Sequence, residues 1–266
     1  MGTYLETAID IARESGALLA EMYKTPLEIS YKRPSDIVTE ADRRSEALII
    51  ERLYKTFPDH AVISEEGGGQ RIQSDYCWHV DPLDGTTNFA HKFPVFCVTL
   101  GLVYKDEVIA GVVYDPTREE CFTAEKGAGA FLNGKRLSVS KNARLSESLL
   151  ATGFPPFYDR HDLNLRLFLE FTLRSHGIRR AGSAALDLCS VAAGRFEAFW
   201  ELRLNSWDMA AGCLMITEAG GRVTSLLGEP HRIAPVEIFA SNGLVHDEML
   251  PVFREILGEK RNKDEG

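Results

Sequence analysis

No stretch of the sequence is apolar enough, for long enough, to cross a bilayer as a helix. No basic segment followed by an apolar run opens the chain, so a signal peptide is not expected. Met1-Gly2 is followed by Glu6 where a myristoylation signal needs Ser or Thr. The five cysteines, Cys77, Cys97, Cys121, Cys189 and Cys213, are odd in number and scattered, without a C-x-x-C pair. They suggest neither a zinc site nor a disulfide framework, and they read as small core residues of a soluble protein in a reducing cytoplasm. Positive charge is short as well. With 30 Lys and Arg against 39 Asp and Glu, the formal net charge is −9. Such a balance gives no general attraction to nucleic acid or to a membrane surface.

A length of 266 residues suits one large domain or two tightly joined halves. No repeat, low-complexity tract or linker-like shift in composition interrupts it. Leu5, Ile9, Ala12, Leu19, Met22 and Tyr23 recur at helical spacing, with Pro26 at or just past the end. A second helix is expected from Thr39-Glu40 through Leu53, stopping before Phe57-Pro58. Residues 78–80, 96–103, 108–114, 120–124 and 130–132 read as strands, the last closed by the Asn133-Gly134 turn. Beyond Ser146 strands at 149–152, 196–200 and 237–240 alternate with helices at 163–174, 184–193, 207–219 and 244–257. The pattern divides into residues 1–145, α+β with an antiparallel sheet, and residues 146–266, α/β. The charged tail from Gly258 onward has no apolar anchor and is expected to be disordered.

Four acidic segments stand out: Asp36 to Asp42, Ser64-Glu65-Glu66, Asp81-Pro82-Leu83-Asp84-Gly85-Thr86-Thr87-Asn88-Phe89, and Trp207-Asp208. Asp81 ends an apolar strand, Pro82 stiffens the exit, and Asp84-Gly85 makes a tight turn. Asp81 and Asp84 can then point into one small volume with the Leu83 carbonyl between them. Hard cations such as Mg²⁺ take such oxygen ligands. The N–H groups of Gly85 and Thr86, at the start of a short helix, would seat phosphate oxygens. Taken singly, a D-x-x-D-G turn, a Glu-Glu pair or an Asp after Trp is an ordinary structural feature.

Together, Asp42, Glu65, the Asp81 to Phe89 segment and the run Trp207-Asp208-Met209-Ala210-Ala211-Gly212 ending in Glu218-Ala219-Gly220-Gly221 resemble the inositol monophosphatase family in order and spacing. That family belongs to the lithium-sensitive, magnesium-dependent phosphatases, which also include fructose-1,6-bisphosphatases. The resemblance covers nearly the whole chain and implies a layered αβαβα sandwich of the sugar phosphatase type. It implies two or three Mg²⁺ ions and a metal set of Glu65, Asp81, Leu83 (through its carbonyl), Asp84 and Asp208, with Asp81 bridging. Asp42, Glu65 and Thr86 would carry the catalytic work, Asp42 and Thr86 as the pair that positions and deprotonates the attacking water. Gly85, Thr86, Gly182, Ser183, Ala184, Glu201 and Asp208 would meet the substrate. Lys32 resembles a family lysine near the entering phosphate.

The implied reaction is hydrolysis of a phosphate monoester, inositol 1-phosphate first, by an enzyme that is a homodimer. Thr86-Thr87-Asn88 resembles the inositol branch, whereas nucleotide- and histidinol-phosphate branches tend to carry a basic residue in place of Thr87. A broad sugar-phosphate or dual fructose-1,6-bisphosphatase activity is one alternative, and a non-catalytic interaction protein on the same fold is another. The run Gly67-Gly68-Gly69 departs from the family and is expected to form a mobile flap over a third metal site. His79 and His91 are read as structural or peripheral, and Trp200 and Trp207 as core.

Overall fold

The computed structural model describes residues 3–26, 29–33, 36–70, 72–155, 162–233 and 236–264. Helix α1 (Thr3–Tyr23) buries Leu5, Ala8, Ile11, Ala12 and Leu19, the stripe that a period of 3.6 produces. Strands β1 (Ile29–Arg33) and β2 (Asp36–Thr39) form an antiparallel hairpin that the sequence pattern did not reveal. It leads directly into α2 (Glu40–Thr56), whose N-cap is Thr39. Thr39 Oγ1 accepts from Ala41 N–H, and the Asp42 carboxylate accepts from Thr39 N–H at 2.7 Å, so the helix opens on a capping box.

A seven-stranded sheet follows in chain order: β3 (Ala61–Ser64), β4 (Tyr76–Asp84), then, after the short helix α3 (Thr86–Ala90), β5 (Cys97–Tyr104), β6 (Glu107–Asp115), β7 (Glu120–Glu125), β8 (Gly129–Leu132) and β9 (Lys135–Arg136). Pairing is antiparallel from β4 onward, but β3 lies parallel to β4 at the edge, so this sheet is not wholly antiparallel. Asn133 and Gly134 both adopt positive φ, as a tight hairpin turn requires.

The second sheet has five strands. Its elements are β10 (Leu149–Thr152), α4 (Leu163–Arg174), β11 (Gly177–Arg179), α5 (Ala184–Ala192), β12 (Ala198–Leu204), α6 (Ser206–Glu218), β13 (Arg222–Thr224), β14 (Val236–Ser241) and α7 (His246–Asp264). The strand order is β11-β10-β12-β14-β13. β10 runs parallel to β11 and β12, whereas β14 runs antiparallel to β12 and β13, so the expected α/β half holds a mixed sheet. The backbone of α7 continues through Gly258 to Asp264.

Three apolar clusters show the layers. One joins α1 and α2 to one face of the seven-stranded sheet, and a second joins its other face to α5, α6 and the five-stranded sheet. The third joins α4 and α7 to the outer face of the five-stranded sheet. The result is the αβαβα sandwich. α6 lies between two sheets and is apolar on all sides from Met209 to Ile216. It comes that close because Gly101 and Gly111 pair across β5 and β6; a Cβ at Gly101 would stand 2.7 Å from the Ala210 Cβ. That approach delivers Asp208 to the first sheet.

Candidate active site

Strand β4 does not stop at Asp81 but runs through Pro82 and Leu83 to Asp84. Asp81 faces Thr99 and Asp84 faces Cys97, so three steps on β4 oppose two on β5. This bulge turns both aspartates toward one volume. Within it Leu83 N–H donates to Asp81 Oδ1 at 2.9 Å, and the Pro82 carbonyl accepts from the Ser45 hydroxyl at 2.6 Å. Gly85 follows with φ +97°, a conformation that glycine takes without steric cost, and starts α3. The parallel edge strand adds Glu65, whose N–H donates to the Val80 carbonyl beside Asp81.

Each of the other acids is held by a helix N-terminus, where exposed N–H groups and the helix dipole favour negative charge. Asp42 sits in the first turn of α2; one oxygen takes the Thr39 N–H and hydroxyl, and the other accepts from the Thr86 hydroxyl at 2.8 Å. That hydroxyl also lies 3.0 Å from the Leu83 carbonyl. Asp208, in the first turn of α6, accepts from Asn205 N–H at 2.7 Å. Asp84 reaches across to α5, where Ala185 N–H at 2.8 Å and the Ser183 hydroxyl at 2.6 Å share one oxygen. The structure therefore brings Asp42 and Thr86 into contact and gathers Glu65, Asp81, Asp84 and Asp208 around the bulge.

The electrostatics follow. Burial, then the charges of Glu65, Asp84 and Asp208, push the Asp81 carboxyl well above the usual carboxylate range, and Glu65 also hydrogen-bonds it. Burial and the charge of Glu65 do the same to Asp208, against the pull of Asn205. Asp84 is raised by burial against the opposing hydrogen bonds from Ser183 and α5. Asp42 is raised by burial too, with Thr39 and Thr86 pulling it down. A set of crowded, oxygen-only groups of one sign suits a hard cation in donor chemistry. Among the described residues no three or more His, Cys, Asp or Glu side chains stand as a finished ion cage. In this arrangement the carboxylates are turned to Leu83, Asn205, Ser183 and each other.

A cleft of about 450 Å³ opens over these groups, lined by Glu65, Asp84, Asp208, Glu201, Asp187 and Arg180 among others. Gly85, Thr86, Gly182 and Ala184 also border it. Ser183 borders it as well, but it is buried and its hydroxyl is committed to Asp84, so the geometry gives it a holding role. Glu201 is buried against Gly153, where a Cβ would lie 2.0 Å from Oε2. A register shift between Glu201 and Leu204, with Arg203 at φ +65°, bends β12 at the cleft. Arg203 is ion-paired with Asp162, the N-cap of α4.

Asn88 has a structural bond set. Its amide donates to the carbonyls of Val95 and Ala181 at 2.8 Å each and ties α3 to the loop before α5. His79 is buried and hydrogen-bonded through Nδ1 to the Ser206 hydroxyl at 2.7 Å, fixing the start of α6; burial lowers its pKa to about 4. His91 is exposed at the end of α3. Trp200 is core, its indole N–H bonded to Asn164, while Trp207 is only half-buried. In the glycine run Gly67 and Gly68 are exposed and nothing lies within 4 Å of a Cβ at Gly67, whereas a Cβ at Gly69 would meet the Val62 carbonyl at 2.3 Å; Gly67 N–H donates to the Ser64 carbonyl. Lys32 lies in β1, its side chain outside the described residues.

The model of the inositol monophosphatase family matches residues 1–257. The chain belongs to the inositol monophosphatase family, a family of phosphatases. It is 45% identical over 253 residues to the inositol-1-monophosphatase of Synechocystis, a match that covers 93% of this chain and 87% of that one. It is 44% identical over 251 residues to Nus factor SuhB of Pseudomonas aeruginosa, covering 91% and 92%. The solved inositol monophosphatase of Anabaena superposes with a TM-score of 0.86 at 40% identity, over 95% of this chain and 96% of that one. The family's layered fold is thus the fold seen here. Sequence reasoning missed the holding groups, although T-x-x-D at Thr39 to Asp42 is a legible helix-start signal. Asp187, which lines the cleft, carried no sequence signal.

Proposed function

We propose that the protein hydrolyses a phosphate monoester with the help of two or three Mg²⁺ ions, and that inositol 1-phosphate is its best substrate. The observation that carries the reading is the Asp42–Thr86 contact, set beside four converging carboxylates. Glu65, Asp81, Asp84, Asp208 and the Leu83 carbonyl would hold the ions. Mg²⁺ there would neutralise the phosphate, acidify water and stabilise the leaving alkoxide. Thr86 can orient a water by accepting its hydrogen bond at Oγ1, while the Thr86 hydroxyl proton, still bonded to Oγ1, points at Asp42 Oδ1. As attack proceeds, Asp42 is the acceptor for the proton handed on by Thr86. The N–H groups of Gly85 and Thr86 receive phosphate oxygens, and Glu201 accepts hydroxyl protons of the alcohol.

Release of phosphate from inositol 1-phosphate, with Mg²⁺ and then with chelator, tests this. Full activity with chelator would remove the metal mechanism, and no activity on any phosphate ester would remove the enzyme reading. A panel with fructose 1,6-bisphosphate, histidinol phosphate and NADP separates the inositol preference from broad or dual specificity. A second, binding role is proposed because a relative carries the name Nus factor. A cytoplasmic homodimer is also proposed; Leu169 and Leu173, exposed along α4, supply an apolar face for the second copy. A division near residue 145 accords with the two sheets lying on either side of it.

A further inference from the structure

Two carboxyl groups on the cleft differ from every other acid there. Asp187, in the first turn of α5, is 2% exposed, and Glu201, on β12, is 7% exposed. Both line the cleft. Asp42, Asp81, Asp84 and Asp208 all accept hydrogen bonds from neighbouring protein groups. Among the described residues, the Asp187 and Glu201 carboxyls have neither a hydrogen bond nor an ion pair. Burial and the neighbouring carboxylates push both groups well above the usual carboxylate range, with Arg180 pulling weakly the other way; among the described residues its guanidinium donates to the Phe154 carbonyl, at 3.5 Å, and to neither carboxyl. Both carboxyls instead open onto the cleft, where no described protein group donates to them. Two such groups aimed into one cleft suit a ligand that brings the missing donors.

We propose that Asp187 is a second specificity-determining carboxyl of this cleft, gripping with Glu201 the hydroxyl groups of the leaving alcohol. The inference rests on the phosphatase reading above. A carboxyl accepts hydrogen bonds from hydroxyls, and two carboxyls carried by different elements select an alcohol with hydroxyls spread around its frame. That chemistry describes a cyclic polyol rather than a short or aromatic alcohol. The placement is rigid: Asp187 N–H donates to the Ser183 carbonyl at 3.0 Å, in the same first turn whose N–H and hydroxyl groups hold Asp84. Glu201 is fixed against Gly153, whose carbonyl is in turn held by the Asn164 amide at 2.6 Å.

The test compares inositol 1-phosphate with phenyl phosphate, which has no remote hydroxyls, on the Mg²⁺-loaded wild type, Asp187→Ala and the isosteric Asp187→Asn. For Asp187→Ala the KM for inositol 1-phosphate should rise about tenfold, the loss of one well-formed hydrogen bond. Asp187→Asn should lose less, kcat should change little, and both constants for phenyl phosphate should hold. Equal losses on the two esters, or an unmoved KM for inositol 1-phosphate, would overturn the proposal. If Asp187→Ala does not fold, the Asn variant decides by the same two readouts. A wild type active on phenyl phosphate but not on any polyol phosphate overturns this inference alone. One inactive on both overturns the phosphatase reading with it.

Discussion

Replacing Ser183 by Ala separates two roles for one residue. As a substrate contact, which the family resemblance implied, its loss would raise KM and leave the metal sites alone. The structure instead shows its hydroxyl donating to Asp84 at 2.6 Å and accepting from Leu186 N–H at 3.4 Å as the α5 N-cap. The bond to Asp84 is charge-assisted, worth about 1.5–3 kcal/mol, and Ala185 N–H remains to hold the carboxylate. Partners that orient metal ligands typically matter by about 10–100-fold in metal affinity. With Ala185 intact, a weakening of Mg²⁺ binding by about tenfold is the expected outcome. The lost cap adds roughly 1 kcal/mol of destabilisation, a fall in Tm of about 2–4 °C for a chain of this size. Burial raises Asp84 and the Ser183 bond lowers it, so the variant carries a still higher pKa and its Mg²⁺ binding moves to higher pH. Calorimetric titration of Mg²⁺ at two pH values, with Ser183→Thr as the variant that keeps the hydroxyl, makes the measurement. Unchanged Mg²⁺ binding with a raised KM would refute the reasoning.

Thr86→Val should lower kcat by a factor of about 100 or more at unchanged Mg²⁺ affinity, because it removes the hydroxyl on Asp42, while Thr86→Ser should keep most activity; steady-state kinetics beside a metal titration decide it. Gly153→Ala should raise KM for a polyol phosphate and cost about 1–3 kcal/mol by overpacking, since the new Cβ would fall 2.0 Å from Glu201; kinetics and thermal melts check both. His246 is fully buried between Thr224 and Ser241, and burial lowers its pKa to about 4. This folded value lies below the unfolded value of ~6.5, so its contribution is complete above about pH 6.5 and is lost as pH falls toward 4, on the order of 1–2 kcal/mol after screening. Melting curves of wild type and His246→Gln between pH 7.5 and 4.5 should converge toward acid; parallel curves would refute it.

The elements legible in the sequence are those whose signal is local. The α1 stripe, the Asn133-Gly134 hairpin and the helix at 163–174 carry their period or turn chemistry within a dozen residues. What escaped depends on distant pairing. β3, β11 and β13 are three or four residues long and become strands only through β4, β10 and β14. The parallel seat of β3 places Glu65 beside Asp81, and no local pattern encodes it. A charged segment reads as disordered by composition, yet α7 extends into it from a core-bound face that ends near Ile256.

At the site, the acids themselves were legible and their anchoring was not, because spacing tells which oxygens meet but not what holds them. Asp42 and Asp208 occupy the same position, the third residue of a helix whose preceding cap donates its N–H to them. Each helix start thus fixes one carboxylate oxygen and leaves the other for the cleft or for Thr86. Asp84 uses a third helix start from outside, and Asp81 uses the N–H freed by the β4 bulge. A cluster of like charges needs such donors to stay assembled before any cation arrives, since burial and mutual repulsion drive each carboxyl toward its neutral form. The donors come from β2, the strap before α6, α5 and the bulge, so the site requires both sheets. Asn88 and His79 join those parts by hydrogen bonds to the Ala181 and Gly182 carbonyls and to Ser206. Cutting either link should therefore weaken metal binding before it unfolds the core.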